Sequence, residues 1–284
     1  MQREQEDAER NRLLEEEQEA EEEAKAEDPL NPLRRREAGE KVKLKLPADV
    51  VMTFAWCPAG SFRMGGTVHN DEQPIHKVTL TKGFYMGIYP VTQAQWKAVL
   101  GTDPSYFKGA NRPVESVTWH ECNEFCTKLS GLLKERVTVR LPSEAEWEYA
   151  CRAGTTTEYH FGNVINTDLA NYDGNYSFND SPKGKCRKET TDVGSFPANS
   201  WGLYDVHGNV WEWCRDAKRT YTAADYTDED ETISDNTRVM RGGSWRYSPA
   251  NCRAAYRSRN MPAYRGCNCG FRVCFRPDCF QLPV

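Results

Sequence analysis

The sequence predicts an α+β fold of short strands, two or three packed helices and long ordered loops. Three observations carry that prediction. Period-two alternation opens the ordered part of the chain, and three helix starts of one type follow it. Beyond Gly154 helical periodicity vanishes into segments dense in Gly, Asn, Asp, Ser and Tyr.

Order is expected from about Glu40. Val42, Leu44 and Leu46 alternate with Lys41, Lys43 and Lys45, which gives a half-buried strand one apolar and one charged face. Met52, Phe54 and Trp56 repeat the pattern. Phe62-Arg63-Met64-Gly65-Gly66 reads as a turn, His76 to Leu80 as a strand, and Phe84-Tyr85-Met86-Gly87 follows it. Thr92-Gln93-Ala94-Gln95, Thr118-Trp119-His120-Glu121 and Ser143-Glu144-Ala145-Glu146 each fit a capping box. In that device a hydroxyl accepts from the third backbone N–H and a Glu or Gln reaches back to the cap. Gly101 and Gly154 are the expected stops of the first and third helices. Trp96, Val99 and Leu100 make one apolar face, Cys122, Phe125, Cys126 and Leu129 a second, and Trp147, Tyr149, Ala150 and Cys151 a third. Long irregular stretches such as Tyr172-Asp173-Gly174-Asn175-Tyr176 carry function or are held by ions.

Composition sets the outer limits. The chain has 284 residues, enough to bury a substantial core, and residues 40–284 are expected to form one domain. Residues 1–39 are set apart as an acidic helical or disordered tail with its linker. The first 28 carry 13 acidic against 4 basic side chains, so the formal charge of −5 leaves the remainder near +4. No large basic patch points to nucleic acid. No run of 18 apolar residues points to a membrane span, and the N-terminus has no apolar signal region. A cytoplasmic location is expected, where most of the 11 cysteines would be buried thiols. Cys122 with Cys126, and Cys267 with Cys269, lack the pair-plus-pair spacing of a zinc site.

Several motifs are individually specific: Phe62-Arg63-Met64-Gly65, Tyr89-Pro90-Val91-Thr92, Arg112-Pro113-Val114 and Arg140 to Glu148. They continue in order through Gly202-Leu203-Tyr204-Asp205-Val206-His207-Gly208-Asn209-Val210-Trp211-Glu212-Trp213 and the segment from Arg241 to Arg272. Together they resemble the formylglycine-generating enzyme, or sulfatase-modifying factor, family over about residues 50–276. The resemblance implies a C-type-lectin-like fold with a small twisted antiparallel sheet and extensive loops. It further implies a structural Ca²⁺ held by Asp205, the carbonyls of Gly208 and Val210, and Glu212, a hard oxygen set that suits calcium. A second family calcium site would use Asn171. Lys183-Gly184-Lys185-Cys186-Arg187 offers it no acid, so that site is not expected.

The same resemblance raises a catalytic reading. Family enzymes oxidise a cysteine of a client protein to formylglycine with two cysteines that bind Cu(I), and soft thiolates suit that soft ion. Cys252 falls on the second of those positions and Ser244 on an active-site serine, but Tyr247 occupies the first cysteine's place and Ser248 that of a histidine. Phenol oxygen is a hard ligand with a pKa near 10, so Cu⁺ is not expected. Cys252 reads as a buried inert thiol, and as catalytic with Ser244 only if the copper-dependent oxidase alternative holds.

The preferred reading is a binding module for a protein or other macromolecule. Arg241-Gly242-Gly243-Ser244-Trp245, Asn251-Cys252-Arg253 and Gly270-Phe271-Arg272-Val273 also resemble the variable regions of proteins diversified by retroelements. The expected contact residues are Arg246, Tyr247, Ser248, Tyr256, Ser258, Arg259, Ala263, Tyr264, Gly266 and Cys267. Arg246, Tyr247, Ser248, Ala263, Tyr264, Gly266 and Cys267 are all reachable by changing the adenines of an Asn codon, whereas Met261 is not. Tyr and Arg are strong interface anchors, while Ser and Gly adapt.

Overall fold

The computed structural model describes residues 35–133, 137–227 and 236–277, so the acidic tail of residues 1–28 lies outside the described residues. Strand β1 (Lys41–Lys45) buries Val42 and Leu44 and exposes its lysines. It pairs antiparallel with β2 (Val51–Cys57), which pairs in turn with β5 (Phe84–Gly87) and through it with β11 (Cys274–Phe275). Phe62-Arg63-Met64, expected to turn, is instead strand β3 (Gly60–Met64), aligned along β4 (His76–Leu80). The turn comes at Gly65, whose φ of 103° is open to glycine.

The α+β class holds, with three helices among the described residues. The expected single antiparallel sheet is divided into three. The second sheet runs β10 (Cys269–Gly270), β6 (Trp211–Trp213), β8 (Arg238–Arg241), β9 (Ser258–Asn260), and the third runs β3, β4, β7 (Tyr226–Thr227). Two of these pairings, β6 with β10 and β4 with β7, are parallel and only two residues long. Long loops return such strands to a sheet edge in either direction, a feature that periodicity alone does not encode.

All three capping boxes form. Thr92, Thr118 and Ser143 accept from the N–H of Gln95, Glu121 and Glu146 at 3.1–3.2 Å, and those side chains accept from the cap N–H at 2.8–3.0 Å. They start α1 (Gln93–Leu100), α2 (Trp119–Leu132) and α3 (Glu144–Arg152). Gly101 ends α1 at φ 75°. Ala153, one residue before the expected Gly154, takes the left-handed cap of α3 at φ 45°. Helices α1 and α2 meet through Trp96 stacked on Phe125, with centroids 5.6 Å apart, and Phe271 edge-on to both rings. Helix α3 is buried along its whole length despite three glutamates and an arginine. Among the described residues no helix is long and apolar enough to cross a membrane.

Candidate functional site

The C-terminal segment is built around buried arginines, each neutralised by a carboxylate from earlier in the chain. Arg241 pairs with Glu148, Arg253 with Glu72 at 2.5 Å, Arg257 with Glu144 at 2.6 Å, and Arg272 with Glu212 at 2.6 Å. Such charges are tolerated inside only when paired and hydrogen-bonded. The Glu72 and Glu144 pairs are two-pronged, which fixes orientation as well as charge.

From β8 the chain turns through Gly242 and Gly243, at φ 92° and 74°. A Cβ on Gly243 would stand 2.5 Å from the Cys252 sulfur, so this turn is reserved for glycine. Ser244 is fully buried, and its hydroxyl accepts from the Asn268 amide at 3.2 Å. The Trp245 indole donates to the Cys267 carbonyl at 3.2 Å and so ties the two ends of the segment together.

Between these anchors, Cys252, Arg253, Ala254, Ala255 and Arg257 stay buried while the expected contact residues reach the surface. Arg246, Tyr247, Arg259, Ala263 and Tyr264 are exposed, and Ser248, Tyr256, Ser258, Gly266 and Cys267 are half-buried. Tyr247 packs edge-on against Trp211 at 5.4 Å, and Trp211 also meets Tyr256 at 5.9 Å. Tyr264 lies within electrostatic reach of Arg246, Tyr247 and Cys267. The structure thus brings Arg246, Tyr247, Tyr256, Tyr264, Gly266 and Cys267 around one aromatic platform. Ser258 and Arg259 sit on β9, the outer strand of the second sheet.

Sequence reasoning missed two neighbours of this surface. Phe107 lies edge-on to Trp245 at 5.4 Å, and Tyr106 beside it is 73% exposed, the largest such fraction among the described large hydrophobics. Their loop is held rigid: Glu115, fully buried, accepts from the Phe107 N–H at 2.8 Å and from the Ser116 hydroxyl at 2.7 Å. The signal available was an aromatic pair inside an otherwise polar loop.

Cys252 belongs to the framework side. It is 0% exposed within a small cluster of Tyr159, Ile165, Ala170 and Tyr172, and burial pushes its thiol up to about 12. Tyr247, at the place of the family's first cysteine, is a surface phenol. Among the described residues no group of three or more His, Cys, Asp or Glu could hold a metal.

The expected calcium ligands fit the ion only in part. Asp205 is buried. Its Oδ2 accepts from the Gly194 N–H at 2.7 Å, while Oδ1 has no partner. Burial raises its pKa to about 6, against the lowering effect of the Gly194 N–H and Arg272. Glu212 is differently placed. Both its oxygens accept from Arg272, at 2.6 and 2.7 Å, and the Trp147 indole donates to it at 2.7 Å. Its charge is thus already balanced within the protein. The backbone between them is tightly turned, with Asp205, Gly208 and Asn209 at φ 54°, 90° and 62°.

Comparison with known proteins agrees with the motif series. The model of the sulfatase-modifying factor enzyme 1-like domain matches residues 43–277. The chaperone protein LppX of Paenibacillus barcinonensis is 30% identical over 257 residues, covering 75% of this chain and 86% of that protein. The formylglycine-generating enzyme of Mus musculus is 33% identical over 192 residues, covering 64% of this chain and 49% of the enzyme, so the match spans about half the mouse protein's length. Among solved structures, Treponema denticola variable protein 1 superposes with a TM-score of 0.73 at 28% identity, covering 84% of this chain and 99% of that one.

Proposed function

Because the chain belongs to the sulfatase-modifying factor enzyme 1-like family, we propose that it is a cytoplasmic binding module for a protein or other macromolecular ligand, with its contact face in residues 246–269. One observation carries this reading: the sharp division of the C-terminal segment. Its arginines at 241, 253, 257 and 272 are buried and paired with carboxylates and its one central cysteine is buried, while Tyr247, Tyr264 and Arg246 are exposed. A copper oxidase needs the reverse, two accessible thiolates, whereas here a phenol stands in the place of one and the other sulfur is buried. Similarity to a Treponema denticola variable protein supports the narrower reading, a retroelement-diversified face on a constant frame. Tyr247 and Tyr264 would then act as rigid aromatic anchors, with Ser248 and Gly266 adapting around them.

Purified protein loaded with Cu(I) and offered a Cys-x-Pro-x-Arg peptide should leave the cysteine intact, and aldehyde formation would establish the oxidase instead. For diversification, the neighbouring DNA should hold a reverse transcriptase and a near-copy of the coding segment for 241–275 that differs only at adenines. Without both, that part of the reading fails.

Calcium is proposed at the Asp205 end of the loop, with the Gly208 and Val210 carbonyls and with Glu212 remaining on Arg272. Its support is the unpartnered Asp205 Oδ1; the bound ion would stiffen the loop that leads into Trp211.

A further inference from the structure

Arg112, Lys185, Arg187, Glu189, Thr191 and Asp192 are among the residues that line an open cleft of about 430 Å³. We propose that this cleft binds a phosphate group, gripped by Arg187 and Lys185 with the Thr191 hydroxyl beside them. The proposal stands independently of the binding-face reading.

Arg187 is held in place by contacts that leave part of it unused. One Nη donates to the Thr167 carbonyl at 2.7 Å, and the guanidinium lies over the Phe196 ring at 5.1 Å. Its other Nη is buried without an acceptor, and the Thr191 hydroxyl is buried without a partner as well. Native proteins leave few buried polar groups unmet, and a guanidinium N–H is among the costliest to strand. The Tyr172 hydroxyl, within electrostatic reach of Arg187, lacks a partner as well. Lys185 stands exposed on the rim, its backbone fixed by a 3.1 Å bond to the Thr167 hydroxyl.

The other charges of the cleft are accounted for. Arg112 is occupied by Glu189 at 2.9 Å and by the Thr190 carbonyl at 2.5 Å. Asp192 is the remaining acid, exposed at the edge. Three cations against two carboxylates, one of them already paired, leave a positive surplus beside the stranded donors. One unused guanidinium nitrogen, an ammonium and a hydroxyl among the lining side chains suit an anion with several acceptor oxygens, such as a phosphate.

The test is a titration of the full chain at constant ionic strength with inorganic phosphate and, separately, with phosphoserine, read by calorimetry or amide chemical shifts. Saturable binding is expected, weakened by roughly tenfold in Arg187→Gln and in Lys185→Gln, the loss of one charge-assisted hydrogen bond. Glu189→Gln removes an acid and frees Arg112, so it should tighten binding, a change of sign that general destabilisation would not produce. Tighter binding of phosphoserine than of phosphate would identify a carried group, and the opposite order a free ion. Lys185 and Glu189 are both exposed, so their variants keep the fold. No saturation, or wild-type affinity in both of these variants, overturns the proposal.

Discussion

If Cys252 is framework, its sulfur should be chemically silent in the folded protein. Only the thiolate reacts with alkylating agents, and a free cysteine near pKa 8.5 is about one quarter thiolate at pH 8. With its pKa pushed up to about 12 by burial, Cys252 is thiolate in roughly one molecule in ten thousand at that pH. Labelling should therefore be slower by about three orders of magnitude from ionisation alone. Closure of its cluster by Tyr159, Ile165, Ala170 and Tyr172 adds to this. The assay is timed iodoacetamide labelling at pH 8 with peptide mass spectrometry, native against urea-unfolded, with half-buried Cys267 as the internal reference. Cys267 should label first, and Cys252 only as fast as the domain opens. Cys252→Ala should then lower stability by about 1–2 kcal/mol, the loss of a small buried group with its cavity. A Cys252 that labels as fast as Cys267 in the native state would refute the reasoning and return that sulfur to the candidate catalytic residues.

Three further outcomes are expected. Arg272→Met strands the buried Glu212 carboxylate and should cost about 3–5 kcal/mol; adding Glu212→Gln should restore part of it, while Tyr247→Ala should stay within about 0.5 kcal/mol in denaturant unfolding. Burial pushes the Glu146 carboxyl up, but Arg140, at 2.6 Å on both prongs, and the Ser143 N–H outweigh it and hold the pKa at about 2. A folded pKa depressed below the unfolded value near 4.3 gives stability of about 3 kcal/mol above that value, lost as pH falls toward 2. Glu146→Gln should forfeit it at pH 7 and flatten the acid limb of a pH–stability curve between those limits. Calcium should raise the melting temperature relative to chelator-treated protein, and Asp205→Asn should reduce that gain, whereas identical melting curves with and without the ion would exclude the site.

The helices were legible because their starts depend on local chemistry: Thr92, Thr118 and Ser143 each contact a residue three positions on. The β1 pattern was legible for a similar reason, since alternation of Lys41 to Leu46 reflects a single half-buried surface. Strand β3 was not, because Phe62 to Met64 borders two glycines and only the partner β4 decides that it extends. The parallel pairings of Cys269 with Trp211 and of Val78 with Tyr226 join residues far apart in sequence and leave no periodic trace. At the site, the sequence marked Tyr247 as a candidate contact residue but could not place Phe107, which reaches Trp245 only through tertiary folding, or Tyr106 beside it. Glu212 marks the same limit. Its motif suggests an oxygen donor to an ion, and only the structure brings Arg272 onto both of its oxygens.

The pairing of late arginines with early carboxylates also bears on synthesis. Glu72, Glu144, Glu148 and Glu212 all leave the ribosome before Arg241, Arg253, Arg257 and Arg272. Until those guanidiniums arrive, closing the interior would trap four unbalanced negative charges, so the nascent chain has reason to remain open. A polypeptide halted before residue 241 would have carboxylates where the folded domain has ion pairs, and would be expected to stay open to proteases. Emergence of the segment from Arg241 to Arg272 is therefore the step expected to let the interior of the domain close.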